Sequence, residues 1–289
     1  MPLLIFVSFI WAFSFGLLSR LKGLDSSFVA AARLGLALVV FLPFLRIRAL
    51  PAKTIFGLAA IGAVQFGVMY LAYNESFHFL QSHEVALFTL TTPIIVTLLA
   101  DAFERTLRWR ALMAAVLAVL AAALVVAKAA PTAATITGIV LVQVSNLAFA
   151  LGQVLYRRLR LDPRNAALRD RDGFGLLYAG GFAVALAAML THPVSVTLTG
   201  TQALVLVYLG AVASGLAFFL WNIGATRVNA GVLAAMNNAK VPLAVAVSLV
   251  VFREKADLTR LIEGLGLLIL AVWLAERKSR PAVPDQPGS

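Results

Sequence analysis

Long apolar runs recur along the chain, separated for the most part by short polar connections. They fall at about 2–19, 27–45, 54–74, 83–100, 109–127, 136–156, 173–190, 203–224, 230–251 and 260–275. Most are long enough to carry a helix across a hydrocarbon core of about 30 Å, where a soluble core helix would stop sooner. The pattern predicts an all-α integral membrane protein of about ten transmembrane helices. One polar stretch, Arg157 to Asp172, is longer than the rest and reads as a linker near the middle of the chain. The end after Ala275, rich in proline and polar residues, predicts a disordered tail over 277–289.

Composition agrees with the pattern: 61% of the 289 residues are hydrophobic and 13% charged, with a mean hydropathy of +0.93. A formal net charge of +11 would ordinarily raise nucleic acid as a partner, but the Lys and Arg residues, all but Arg33 and Lys240, sit in the connections. There they fix orientation and meet anionic lipid, so the bilayer and not nucleic acid is the expected partner. If the N-terminus is cytoplasmic, the connections on that side hold Arg46, Arg48, Lys53, Arg105, Arg108, Arg110, the cluster from Arg157 to Arg171, Arg227, and Arg277 to Arg280. The opposite side holds only Arg20, Lys22, Lys128, Arg253, Lys255 and Arg260. Both termini are therefore expected in the cytoplasm of a cell with this protein in its inner membrane. The first apolar run has no basic lead-in and no small-residue cleavage site, which predicts a retained helix.

With no cysteine in the chain, thiolate metal sites, disulfides and cysteine nucleophiles are excluded. His78, His83 and His192 stand apart from one another. No metal site, cofactor or enzyme active site is expected.

Two stretches repeat. The segment from Pro93 to Phe103-Glu104 aligns with that from Pro242 to Phe252-Arg253-Glu254, both Pro and Phe offset by 149 residues; Trp11-Ala12-Phe13 and Gly16 align with Leu147-Ala148-Phe149 and Gly152 at an offset of 136. Repeats over 1–130 and 131–276 would each hold five helices. An odd number sets the second upside down relative to the first, an inverted-repeat architecture found in carriers.

Trp11 with Ser14 and Phe15 in the first span, Arg33 in the second, and the doubled Pro–apolar–Phe segments ending at Glu104 and Glu254 resemble the EamA family of the drug/metabolite transporter superfamily. The resemblance covers nearly the whole chain. It implies a secondary transporter with a central cavity built mainly by helices one, three, four, six, eight and nine, the fifth and tenth packing outside. In one respect the chain departs from the superfamily: small multidrug-resistance relatives couple protons through a first-helix glutamate, and no carboxylate stands between Met1 and Ser19. Export of cationic drugs by that route is disfavoured.

Polar groups inside a bilayer are costly, so each needs a partner, a wet cavity or a ligand. Lys240, mid-span beside Asn237 and Asn238, is a candidate for the carboxylate or phosphate of a substrate. It is equally readable as a structural cation held by carbonyls freed at Pro242 or by Glu84, itself a candidate proton or ion-pair site. Pro93 and Pro242 predict paired helix kinks. Asn146 and Gln153 lie seven apart on one helical face and serve either a ligand or helix–helix hydrogen bonding. Tyr70, Tyr73 and Asn74 are echoed by Trp221 and Asn222, as aromatic gates or as an interfacial belt. Trp11 and Ser14 are expected on a cavity wall. Arg33 is expected either to reach the outer interface or to pair with a helix end. These residues together predict a carrier, monomer or homodimer, that exports an amino acid or related small carboxylate by alternating access; the alternative is a non-transporting membrane scaffold or lipid-handling subunit.

Overall fold

The computed structural model describes residues 2–105, 132–166 and 168–228, with parts of 113–120 and of 236–273. Among the described residues every regular element is helical: α1 (Pro2–Ser19), α2 (Ser26–Phe41), α3 (Ala52–Gly62), α4 (Met69–Ser76), α5 (Ser82–Phe88), α6 (Thr92–Glu104), α7 (Ala133–Leu161), α8 (Asp170–Met189), α9 (Gly200–Val207) and α10 (Ala217–Thr226). Short 3-10 turns follow α2, and another, Thr89–Thr91, joins α5 to α6. Two junctions are π-helical. Ala63–Val68 links α3 to α4, and Tyr208–Leu216 links α9 to α10.

Seven helical runs among the described residues are long and apolar enough to cross a membrane: Pro2–Ser19, Ser26–Phe44, Ala52–Ser76, Ser82–Phe103, Ala133–Leu161, Asp170–Met189 and Gly200–Thr226. They coincide with the first four and the sixth to eighth expected spans, and the chain is a multi-pass helical membrane protein. The expected span at 109–127 falls largely, and those at 230–251 and 260–275 about half, outside the described residues. The ends of the helices are marked in sequence. Thr132 caps α7 by accepting the amide of Thr135, and Thr199 with Gln202 and Gln81 with Glu84 close capping boxes on α9 and α5.

Helix α1 shows why the fold needs lipid. Its inner face, Leu4, Val7, Trp11 and Phe15, is buried, while Phe6, Phe9 and Phe13 on the other face are 54%, 55% and 43% exposed. A row of phenylalanines facing outward suits hydrocarbon and would be a binding patch or aggregation site in water. The interior is held partly by aromatic packing, with Phe66 stacked on Tyr178 at 5.1 Å and both touching Phe174.

The Arg157–Asp172 stretch, expected as a linker between halves, is instead the last turn of α7, a short turn and the first turn of α8. It is tied shut, since Asp170 takes Arg160 at 2.7 Å and the Tyr156 hydroxyl at 2.5 Å, and Thr54 donates to Asn165 at 3.0 Å from α3.

Helix α8 lies against α2, α3 and the first π-helical segment, and its closest approach is backbone to backbone. A Cβ at Gly180 would stand 1.9 Å from the carbonyl oxygen of Ala59, and one at Gly62 1.9 Å from that of Leu177. Only glycine permits this approach. Gly180→Ala is therefore expected to cost about 1–3 kcal/mol or more by overpacking, seen as a melting midpoint several degrees lower in detergent; an unchanged midpoint would show that the two helices separate freely.

Between α1 and α2, Asp25 caps α2 by accepting the amide of Phe28 at 2.9 Å and is bonded by Ser27 and by His192 Nε2, the latter at 2.9 Å. Burial tends to raise its pKa, but these hydrogen bonds and the charge of His192 prevail and hold the carboxyl at about 2, below the ordinary 3.8. A depressed carboxylate stabilises the fold above its unfolded value, and that stability is lost as pH falls from about 4 towards 2. Asp25→Asn should lower thermal stability at neutral pH and flatten its decline over that acid window; a decline as steep as in the wild type would place the acid sensitivity elsewhere.

Candidate functional site

A cavity of ≈70 Å³ lies between α1, α2, the third and fourth spans, α7 and α10, with Trp11, Phe15, Met69, Tyr70, Tyr73, Phe149 and Phe218 on its walls. Ser14, Arg33, Thr89, Thr92, Ser145 and Asn146 supply the polar lining. The volume is well below the ~300–1,000 Å³ of a typical small-molecule site, so a ligand of that size requires the walls to part.

The walls depend on breaks in helical hydrogen bonding. In the π-helical segment Tyr208–Leu216 carbonyls depart from the ordinary helical ladder. Trp11 Nε1 donates to the carbonyl of Ala213 at 2.9 Å, and the Tyr178 hydroxyl lies 2.8 and 2.6 Å from those of Ser214 and Gly215, its one proton shared between them. Trp11 is thereby fixed in place and packs on Phe218 at 4.6 Å and Trp221 at 4.9 Å. In the fourth span Pro93 stands in the first turn of α6, where it has no N–H to offer Thr89 and its ring excludes a straight helix. Asn146 of α7 donates to the carbonyl of Phe88 at 2.9 Å and to Thr91 at 3.0 Å, bridging that break from across the cavity.

Arg33 is 3% exposed. It neither reaches an interface nor pairs with a helix end. Its Nε donates to Ser214 Oγ at 3.2 Å, Nη1 to Asn74 Oδ1 at 3.2 Å and Nη2 to the Tyr70 hydroxyl at 3.0 Å, and the guanidinium lies 4.1 Å from the centre of the Tyr70 ring. The Tyr70 and Ser214 hydroxyls are themselves 2.7 Å apart, and Asn74 is oriented by donating to the carbonyl of Ser26. All of these oxygens are neutral. No carboxylate meets Arg33 among the described residues, and a guanidinium has five N–H donors of which three are used here.

The expected site residues thus separate into groups. Trp11, Ser14, Tyr70, Tyr73 and Asn146 line the cavity, with Asn74 behind Arg33. Trp221, Asn222 and Gln153 are buried beyond it. Glu84 closes the capping box of α5, its carboxylate accepting the Gln81 amide at 2.9 Å. Lys240, Asn237, Asn238 and Pro242 lie outside the described residues. Ser214, Tyr178 and Gln65 were not anticipated. Each is a lone polar group in an apolar run, and that was the available signal.

The described residues define a multi-pass helical membrane protein with a cationic group in an aromatic internal cavity. The chain belongs to the EamA-like transporter family, whose profile matches residues 1–127 and 136–276. It is 39% identical over 293 residues to the biotin transporter of Escherichia coli K12, covering 98% of this chain and 96% of that one. It is 38% identical to the biotin transporter of Salmonella typhimurium LT2 (97% and 94% covered) and 40% identical to the probable biotin transporter of Pseudomonas aeruginosa (95% and 96% covered). A solved crystal structure 18% identical superposes with a TM-score of 0.67 over 95% of this chain and 96% of that one, a likeness of fold. The relatives overturn the expectation of an exporter of amino acids or related small carboxylates, because proteins similar along nearly their full length are named for biotin. Residue chemistry alone misled here: amides and a cation fit many zwitterions and acids, and nothing in their spacing selects among them.

The hydroxyl of Tyr178 is the main donor to two carbonyls of the second π-helical segment. Tyr178→Phe should cost about 1–3 kcal/mol, read as a lower melting midpoint in detergent; wild-type stability would mean that those carbonyls find other donors.

Proposed function

We propose that this protein transports biotin across the inner membrane, with both termini cytoplasmic and the chain arranged as two inverted five-helix repeats over 1–130 and 131–276. The observation that carries the substrate reading is Arg33, a buried guanidinium in an aromatic cavity, answered among the described residues by neutral oxygens alone. Biotin joins an apolar fused ring system and an aliphatic arm to one carboxylate. Its arm and rings suit the walls offered by Trp11, Phe149 and Phe218, and its carboxylate suits the N–H groups of Arg33 that have no acceptor among the described residues. The names of the relatives point to the same molecule.

Paired features support the inverted repeat. The π-helical segments fall in the third and eighth expected spans. Arg105 and Arg253, each closely following a repeated phenylalanine, adopt left-handed backbone at φ 52° and 53°. The phenylalanines themselves each meet an arginine, Phe103 with Arg158 at 4.7 Å and Phe252 with Arg20 at 5.8 Å. The family profile also matches twice.

Proteoliposomes holding the purified chain should take up labelled biotin saturably, with unlabelled biotin competing and its methyl ester and free amino acids failing to compete. Arg33→Gln should reduce uptake about tenfold or more, the loss expected when charge-assisted hydrogen bonds disappear. Arg33→Lys should restore only part, since a point charge lacks the planar fork. Absence of biotin flux in the wild type would sink the substrate reading; full activity of Arg33→Gln would remove Arg33 from it.

A further inference from the structure

Beyond the cavity, towards the end where α1 begins, lies a layer of buried amides. Gln153 is two turns along α7 from the cavity residue Asn146, on the same face; Asn222 is one turn along α10 from Phe218; Gln65 is five residues before Tyr70 in the third span. Gly152 permits the layer to close, because a Cβ there would stand 2.1 Å from Cβ of Gln65.

The layer's hydrogen bonds are incomplete in a defined way. Asn222 Nδ2 donates to the carbonyl of Phe218 at 3.0 Å, which turns its Oδ1 to accept from Gln65 Nε2 at 3.3 Å. That orients Gln65 so that its Oε1 is an acceptor with no donor, and Gln153 has no partner at either Nε2 or Oε1 among the described residues. Gln65 is 0% and Gln153 1% exposed. Bare buried amides reduce stability, so each calls for a partner, and a ligand with matching groups supplies one.

We infer that Gln65 and Gln153 form a subsite for a cyclic urea, the ureido ring of biotin, at the opposite end of the substrate from Arg33. The inference rests on the biotin reading. A cyclic urea presents two N–H donors and one carbonyl acceptor; Gln65 Oε1 and Gln153 Oε1 supply two acceptors, and Gln153 Nε2 a donor. Asn146 and Gln153 are about 10 Å apart along α7 from the helical rise, the span of a ring system and its arm, and a ligand reaching both ends requires the walls of the ≈70 Å³ cavity to part.

The test uses purified full-length protein in detergent, with equilibrium binding of labelled biotin and competition by three probes. These are dethiobiotin, which keeps the urea, 2-iminobiotin, in which a guanidine replaces it, and biotin methyl ester. Gln153→Met removes the amide at nearly constant shape. It should bind biotin at least about tenfold more weakly while melting at or above the wild-type temperature, because an unsatisfied buried group has gone. Gln153→Glu should shift the preference between biotin and the cationic 2-iminobiotin by about tenfold or more towards the latter, leaving discrimination against the methyl ester unchanged. Dethiobiotin should track biotin in every variant. Wild-type affinity in Gln153→Met, or a lowered melting temperature with all probes weakened equally, overturns the subsite. Should Gln153→Glu not fold, Gln153→Met decides alone. If the wild type binds no biotin, the substrate reading has failed; if it binds biotin and the variants keep the wild-type order of probes, the ureido assignment has failed by itself.

Discussion

Within hydrocarbon a backbone carbonyl that leaves its helical partner must find another donor inside the protein. The cavity of this protein lies where that demand is greatest. The third and eighth expected spans pass through π-helical segments and the fourth through a 3-10 turn ahead of Pro93. The donors come from other spans: Trp11 from the first, Tyr178 from the seventh and Asn146 from the sixth. Irregular backbone at membrane depth is tolerated where it faces protein or a cavity, and the same side chains that satisfy these carbonyls form or flank the hollow. Fold and site therefore rest on one set of contacts.

A second constraint is electrostatic. Arg33 draws on two spans besides α2, since Tyr70 and Asn74 come from the third, Ser214 from the eighth, and the ring of Tyr70 covers the guanidinium. Neutral oxygens and an aromatic face make the buried charge tolerable without cancelling it. A carboxylate in their place would neutralise the cation and leave little attraction for an acid entering the cavity. The neutral cage keeps the positive field while fixing the direction of the fork.

Much of the architecture was legible because length and hydropathy decide whether a helix spans lipid, and the seven spans at the expected places follow from that alone. Pro93 announced a disturbance through its missing N–H, and Trp11 a wall position through its mid-span place. The π-helical segments were not legible. No residue type compels a π turn as proline compels a break; Ala63–Val68 and Tyr208–Leu216 read as ordinary apolar helix until the neighbours that bond their carbonyls are known. Arg33 was misplaced for a related reason. A long cationic side chain a third of the way into a span can snorkel, and only the tertiary arrangement of Tyr70, Asn74 and Ser214 shows why it turns inward. The weight placed on Lys240 came from its mid-span position, and that position lies outside the described residues. The mistaken substrate class had a different origin, since amides and cations identify hydrogen-bonding capacity and leave the shape of the ligand open.

The distribution of unmet polar capacity carries the remaining argument. Most buried polar side chains near the cavity are answered, including Asn74, Asn146, Asn222, Ser214 and Tyr178. Along the axis from α2 to the layer beyond Phe218, capacity is left over among the described residues at Gln65 Oε1 and at both ends of the Gln153 amide, while the Arg33 fork, with five N–H groups, makes three hydrogen bonds there. Their alignment, cationic at one end and amide at the other with aromatic walls between, is what a molecule with an acid at one end and a urea at the other would complete. Unmet buried polar capacity costs stability, and native sequences retain such costs where function requires them.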